Sequence, residues 1–323
     1  MKKSIFSFTL CAVLLALCHS ADGQQTAKVF RIGLLSPTVR SGFEPLWQGL
    51  RDLGYVEGKN LMIESRFAQG NLDNLPAFAA ELVRLNIDII VAIGGPSVQA
   101  AKNATETIPI VMTNAGDPIE QGFIASLARP GGNITGLSSL THDLAGKRLE
   151  LLKETLPKLS RVAALWHPDT IGSTLNWKET QLAGRELGLQ LQSLEVRSRE
   201  DLDQAFRAAV KERTQALVVL RSPIVAIQRM HIAELAIKNR LPAIYDDRAY
   251  VEAGGLMSYG TNQGDLYRRT AVYVDKILRG AKPADLPVEQ PKRFEFVINL
   301  KTAKQIRLAI PPNVLARADR VIK

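Results

Sequence analysis

The 323-residue chain carries 41 Lys and Arg residues against 32 Asp and Glu residues, a formal net charge of +9. Its basic residues never form a block of five or more, which favours a solvated basic surface over nucleic-acid binding. The two cysteines, Cys11 and Cys18, both stand near the start, so a disulfide framework is excluded for the rest of the chain. The length predicts two domains.

The first 23 residues are typical of a secretory signal. Lys2 and Lys3 precede an uncharged apolar run over residues 5–17, and small residues at 20–23 offer a cleavage site. The run is too short to span a bilayer. We therefore predict a signal peptide over residues 1–23 and a periplasmic location.

Cys18 raises the alternative of a lipid-anchored protein. A lipid-modified cysteine usually follows a small residue, whereas Leu17 stands here. This favours the soluble periplasmic form.

Short apolar runs then recur along the chain, each ended by residues that favour turns. Such uninterrupted runs are typical of parallel strands covered on both faces. They predict strands over residues 30–35, 87–93, 108–112, 162–166, 216–220, 256–259 and 294–298. Amphipathic periodicity predicts helices over residues 43–53, 75–85, 144–156, 202–210, 224–237 and 266–278, with a short one from Lys301. The alternation predicts an α/β fold with doubly wound, Rossmann-like sheets.

This alternation occurs twice, because it runs to about Leu137 and restarts at Arg161 after a Pro-Gly-Gly turn. The C-terminal part contains no complete further domain, so its elements must complete the two lobes already begun. We predict that residues 28–137 and 260–285 form lobe 1. Residues 138–259 and 286–323 would then form lobe 2.

Ligands of open α/β sheets bind beyond the carboxyl ends of the strands. The hydroxyls, amides and helix N-termini at these ends suit a small polar or zwitterionic ligand, and a helix beginning near Ser97 would attract a carboxylate. The predicted ligand-binding residues are Ser36, Pro37, Thr38, Gly95, Pro96, Ser97, Asn114, Gly116, Asp117, His167, Thr170, Arg221, Ser222, Tyr245 and Asp246.

Several of these residues also have a purely structural interpretation, and both interpretations stay open. Asp117 precedes a proline and fits a helix N-cap. Arg221 can pair with Asp246 or Asp247 instead of a ligand carboxylate, and His167 can cap a helix or lie on the surface.

Enzyme signatures are mostly missing from the sequence. There is no G-x-S-x-G elbow, and the glycine spacing over residues 131–136 lacks the lysine of a phosphate-binding loop. No pair among His142, His167 and His231 has metal-ligand spacing. We predict a binding protein with no catalytic residue, cofactor or metal; an exported hydrolase or racemase is the enzyme alternative.

Sequence strings distributed over nearly the whole chain carry a family resemblance. They occupy residues 49–60, 108–111, 116–118, 125–136, 251–256, 280–285 and 316–319. With them the chain resembles the ABC transporter substrate-binding family for tryptophan/tyrosine uptake. The resemblance implies a type I periplasmic-binding-protein fold, with two lobes joined by a three-crossing hinge. It also implies delivery of a small-molecule ligand to an ABC permease and its ATPase. We expect a monomer that does not bind nucleic acid.

One position departs from this family pattern. Members that bind aromatic amino acids carry an acidic or amide residue after the strand at 216–220, where this chain has Arg221. An arginine attracts a carboxylate and repels an ammonium group, which extends the candidate ligands to anionic and aromatic acids. The alternatives in the binding class are a sensor subunit for a membrane receptor and, less compatible with a signal peptide, a DNA-binding regulator.

Overall fold

The computed structural model describes residues 28–40 and 42–323. The predicted signal peptide and Cys18 lie outside the described residues. No helix in the described part of the chain is long and apolar enough to cross a membrane.

The elements alternate between strand and helix along most of the described chain. The strands are β1 (Phe30–Ser36), β2 (Leu61–Phe67), β3 (Ile89–Ile93), β4 (Ile110–Thr113), β5 (Ile134–Leu137), β6 (Arg161–Trp166), β7 (Gln190–Glu195), β8 (Ala216–Val219), β9 (Ala243–Tyr245), β10 (Met257–Thr261), β11 (Phe294–Asn299) and β12 (Arg320–Ile322). The helices are α1 (Glu44–Asp52), α2 (Leu75–Arg84), α3 (Gly94–Ala104), α4 (Ala145–Thr155), α5 (Ile171–Glu186), α6 (Glu200–Lys211), α7 (Pro223–Ile227), α8 (Arg229–Lys238), α9 (Arg248–Glu252), α10 (Gln263–Leu278), α11 (Leu300–Gln305) and α12 (Pro312–Leu315). Short 3₁₀ turns occupy Leu72–Asn74 and Pro283–Asp285.

Lobe 1 is built on a five-stranded parallel sheet in the order β2-β1-β3-β4-β5. Strand β3 shows why these segments form buried strands, since all five of its side chains are buried. Ile89 and Val91 join one apolar cluster, and Ile90 and Ala92 join the cluster on the opposite face. Helix α10 packs against α1 on the first of these faces. The sheet is therefore covered on both sides, as the uninterrupted apolar runs predict.

Lobe 2 contains a seven-stranded sheet in the order β12-β11-β10-β9-β8-β6-β7. Its pairings are parallel except for β10 and β11, which run antiparallel. Alternate residues of β6 again enter opposite clusters, with Val162 and Ala164 on one face and Ala163 and Leu165 on the other.

The described chain passes between the two sheets three times. It crosses after β5, between β10 and α10, and before β11. The crossing segments hold one another: the Ser138 amide donates to the Glu289 carbonyl at 3.0 Å, and the Thr261 hydroxyl donates to the Ser139 carbonyl at 2.8 Å. The predicted fold of two doubly wound lobes with a three-crossing hinge is confirmed.

The two later lobe boundaries and one helix differ from the sequence-based expectations. Strand β10 continues to Thr261 in the second sheet, and Val288 packs in a core of lobe 1, so the elements change lobe two or three residues beyond the predicted boundaries. The helix predicted over 224–237 is two helices, because the backbone leaves the helical region at Gln228, which ends α7 and precedes α8.

Candidate functional site

A cleft of about 420 Å³ lies between the lobes. In both sheets the strand order reverses once, between β1 and β3 in lobe 1 and between β6 and β8 in lobe 2. A crevice forms where neighbouring strands send their connections to opposite faces of a sheet. The cleft is lined by the segments that follow these four strands, so the two crevices face each other.

The lobe 1 wall is built around the start of α3. Gly94 adopts a φ of +74°, which allows β3 to turn directly into the helix. A side chain at Gly95 would overlap the Gln121 carboxamide, so the absence of a side chain at this position lets Gln121 approach the start of the helix. The Gln121 amide donates to the Ala115 carbonyl and, at 3.0 Å, to the Asp117 carbonyl, which holds the loop after β4 in a compact turn beside Gly95.

Lobe 1 also supplies most of the apolar lining of the cleft. The side chains include Leu72, Leu75, Pro76, Ile93 and Phe123. An apolar wall opposite polar groups is typical of small-molecule sites, where it accommodates the body of the ligand.

The lobe 2 wall is formed by the starts of α5 and α7. The Thr170 hydroxyl accepts a hydrogen bond from the Ser173 amide at 3.3 Å and caps α5, while Ser222 caps α7 in the same way through Val225 at 3.1 Å. The Ser173 hydroxyl donates to the Arg221 carbonyl at 3.1 Å and joins the two segments. The starts of α3 and α5 both line the cleft, where the positive ends of the helix dipoles favour an anionic ligand group.

Arg221 provides the cationic side chain of the cleft. Its guanidinium donates to the Asp246 carboxylate at 2.7 Å and lies 3.8 Å from that of Asp247. Burial alone would lower the pKa of Arg221, but the two carboxylates raise it above its ordinary value, so the side chain stays charged. Because one Nη donor is used by Asp246, the ion pair holds the guanidinium in place while Arg221 still lines the cleft.

Contacts across the cleft place the lobes close together. The His142 ring, at the lobe 2 end of the first crossing segment, packs against Gly116 of lobe 1, with Nε2 3.0 Å from the Gly172 carbonyl of α5. Burial lowers the pKa of His142, which favours the neutral ring. Gly70 of lobe 1 lies under Ile227 of α7, and a side chain at Gly70 would overlap it. The described conformation is thus a closed one.

Many of the residues that the sequence predicts for the site line this cleft. They are Pro37, Thr38, Gly95, Pro96, Asn114, Gly116, Thr170, Arg221 and Ser222. Their contact with a ligand stays a prediction, but the structure brings them together from both lobes.

Three predicted residues lie beside the cleft lining rather than in it. Ser36 is buried, with its hydroxyl 3.2 Å from that of Thr38. Ser97 is fully buried in the first turns of α3. Asp246 is buried and serves as the partner of Arg221, so the structural interpretation of that pair is the one observed.

The other three predicted residues are used structurally. Asp117 accepts from the amides of Ile119 and Glu120 at 2.8 and 3.0 Å and caps a turn, so the expected helix N-cap is wrong. His167 is buried beside Asp169, with Nε2 3.7 Å from its carboxylate. Tyr245 points into the lobe 2 core.

Tyr245 cannot stack on a ligand in the cleft, because its ring already stacks on Tyr250. The ring centroids are 4.7 Å apart, and both rings are buried in a core cluster of lobe 2. Burial raises the pKa of Tyr245 well above that of an exposed tyrosine. The strand end was identified correctly, but its side chain lies on the face of the sheet that α8 and α9 cover.

The sequence matches the ABC transporter substrate binding protein family over residues 36–322. The chain belongs to this family. The structure of a conserved domain protein from Vibrio cholerae is 30% identical, with a TM-score of 0.86 over 91% of this chain and 100% of the other. The ABC domain of Streptococcus pneumoniae in complex with L-Trp is 27% identical, with a TM-score of 0.81 over 90% of this chain and 100% of that one.

A curated relative extends the similarity to almost the whole chain. It is a tyrosine-binding protein of Clostridioides difficile, 27% identical over 322 residues, which cover 94% of this chain and 92% of the relative. The resemblance that the sequence strings indicate is confirmed, and with it the type I periplasmic-binding-protein fold.

The cleft of this substrate binding protein contains polar residues that sequence reasoning missed. They are Gln99, Asn103, Gln121, Ser139, Thr141, His142, Ser173, Asn176 and Tyr267. Burial raises the pKa of Tyr267, which enters from α10, to about 12. The polar residues Ser173, Thr174 and Asn176 were the sequence signal for a binding surface on α5. The hydrophobic periodicity of this helix is weak, so the helix itself was not predicted.

Proposed function

We propose that this protein is the solute-binding component of an ABC importer that works in the periplasm. It captures a small ligand between its lobes and delivers it, chemically unchanged, to a permease and its ATPase. The observation that carries the proposal is the cleft itself, which both lobes line and in which Arg221, helix N-termini and an apolar wall converge.

The hinge explains how such a cleft can capture a ligand. The lobes are joined by three crossing segments, so one lobe can rotate toward the other without disturbing either sheet. A ligand that contacts both walls binds the closed form more tightly and shifts the population toward it. The packing of His142 against Gly116 and of Ile227 over Gly70 is made across this gap and belongs to the closed form.

The lining defines the general class of ligand. A volume of about 420 Å³ lies within the range of small-molecule pockets, roughly 300–1,000 Å³. Arg221 and the amides at the starts of α3 and α5 favour a carboxylate, and the lobe 1 wall accepts an apolar or aromatic body. The L-Trp bound by the pneumococcal relative and the name of the tyrosine-binding relative support amino acids and aromatic acids as first candidates.

A thermal-shift and calorimetric screen of the exported protein tests the binding function. The panel contains amino acids, aromatic acids, hydroxy acids and sugars, and the bound compound is recovered and identified by mass spectrometry. A ligand present at 100 times its Kd should add about 2.7 kcal/mol of stability. It should be recovered unaltered.

Gly172→Phe, which fills the cleft, should abolish this shift, whereas Gly132→Phe on the exposed loop should retain it. Equal binding by both variants would refute the cleft as the site. An altered compound would instead revive the hydrolase or racemase alternative.

Transport is tested separately by uptake of the radiolabelled ligand in cells lacking this protein. The proposal expects uptake to fall to background and to return with the wild-type gene. Normal uptake with loss of a ligand-dependent response would favour the sensor alternative.

A further inference from the structure

Asn176 is the strongest unexplained feature of the cleft. It is 1% exposed, it lines the cleft, and neither its amide nitrogen nor its carbonyl oxygen has a hydrogen-bond partner within the protein. An unpaired buried polar group costs about 1–3 kcal/mol, so such groups are nearly always satisfied. A ligand that both donates and accepts at this position would satisfy Asn176.

The neighbours of Asn176 do not compete for it. It lies one turn after Gly172 and Ser173 on α5, and Ser173 already donates to the Arg221 carbonyl. Thr180, one turn further on, donates to the backbone carbonyl of Asn176 and leaves the carboxamide free. The side chain is therefore presented to the cleft with both of its functions unused.

The charges of the cleft disfavour an ammonium group. Among the described lining residues the only carboxylate is that of Asp169, which is 55% exposed and lies 3.4 Å from Arg197. Asp246 is buried and already paired with Arg221. An ammonium group would thus meet a guanidinium and two helix N-termini without a free buried carboxylate to balance it.

We infer that the ligand is a carboxylic acid that carries a hydroxyl group and no ammonium group, on an apolar body. Arg221 binds the carboxylate, and the hydroxyl both donates to and accepts from the Asn176 carboxamide. A hydroxyl can both donate and accept and so satisfies both functions with one small group, whereas a keto oxygen would leave the Asn176 carbonyl unpaired. Leu72, Leu75 and Phe123 contact the apolar body. This inference rests on the proposed binding function and narrows it.

Two matched triplets of acids test the inference by calorimetry. The first is 3-phenyllactate, L-phenylalanine and 3-phenylpropanoate, and the second is lactate, L-alanine and propanoate. Within each triplet only one substituent changes, from hydroxyl to ammonium to hydrogen. A further acid, 3-(4-hydroxyphenyl)propanoate, places the hydroxyl at the far end of an aromatic body. We compare each hydroxy acid with the analogues that share its carbon skeleton. In the series that binds most tightly, we expect the hydroxy acid to bind at least tenfold more tightly than its ammonium and hydrogen analogues.

The variant Asn176→Leu assigns this preference to one side chain. It should bring the hydroxy acid within about threefold of its hydrogen analogue. The ligand-free variant should melt no lower than the wild type, because leucine fills similar space without an unpaired amide. Asn239→Leu is the matched control, since Asn239 lies at the end of α8 and is not among the residues that line the cleft. It should retain the full preference.

Three results would overturn the inference. They are an amino acid that binds as tightly as its hydroxy analogue, a preference that survives Asn176→Leu, and failure of every hydroxy acid to bind. Binding of an amino acid or a sugar in the cleft would then leave the wider binding function standing.

Discussion

Replacing Arg148 by methionine tests whether one buried cation holds the hinge together. Arg148 lies on α4 and is fully buried. Its guanidinium donates to the Thr141 carbonyl at 2.7 Å and to the Tyr259 carbonyl at 3.4 Å. Thr141 belongs to the first segment that crosses between the lobes, and Tyr259 belongs to β10, which leads into the second. Arg148 thus links two of the three crossings.

The expected cost follows from the bonds lost and the burial relieved. A hydrogen bond to a charged group contributes about 1.5–3 kcal/mol, and Arg148→Met removes two and leaves two carbonyls without this donor. Burial lowers the pKa of Arg148 to about 10, so keeping this cation inside opposes folding and its removal returns part of the loss. We expect a net loss of about 3 kcal/mol in the free energy of unfolding, comparable to breaking a buried charged network.

Urea unfolding followed by circular dichroism measures this loss. Arg317→Met is the control, since Arg317 is exposed and pairs with Glu154 on the same helix α4. Exposed pairs contribute about 0–1 kcal/mol, so this variant should remain close to the wild type. If Arg148→Met unfolds within about 1 kcal/mol of the wild type, the hinge role is refuted.

Three further predictions follow from individual contacts. Burial lowers the pKa of His142, so the unfolded chain binds a proton on this residue more readily than the folded chain does. The free energy of unfolding should therefore fall as the pH drops below about 6.5. In urea titrations His142→Gln should lose less stability than the wild type between pH 7 and 5. Gly70→Ala should weaken ligand binding about tenfold, because the added methyl group opposes closure onto Ile227. Calorimetry should show that the double variant with Ile227→Ala regains part of the affinity. If the double variant binds no better than Gly70→Ala, the proposed contact is contradicted. Gly260→Ala would place a methyl group against the Asp246 carbonyl. Urea unfolding should show a loss of about 3 kcal/mol or more in the free energy of unfolding. A variant as stable as the wild type would contradict the packing of β10.

The central strands of both sheets could be predicted because their uninterrupted apolar composition is typical of strands that are buried on both faces. Segments such as β3 and β8 are apolar at every position and are buried on both faces. The edge strands β2 and β7 were missed, since each has a neighbour on one side only, buries a single side chain fully and interrupts its apolar residues with polar ones. Because an edge strand buries fewer side chains, its sequence shows a weaker hydrophobic pattern.

The site was predictable where it depends on strand ends and unpredictable where it depends on a helix face. Arg221 and Thr170 follow strands and were found from their position, and both line the cleft. Asn176 was missed because the buried residues of α5 are Ser173, Asn176, Thr180 and Gly184, so the helix lacks a strong apolar stripe. Tyr245 was misplaced for a different reason: the face to which a strand's last residue points depends on register, which the run alone does not give.

The path of α10 has a consequence for how the chain matures. This helix follows β10 of lobe 2, yet it contributes Leu266, Tyr273 and Val274 to a core of lobe 1. The N-terminal half therefore cannot complete its core during synthesis until Leu278 has emerged. Until then one face of the first sheet stays open to chaperones and proteases, and the two lobes reach their final form together.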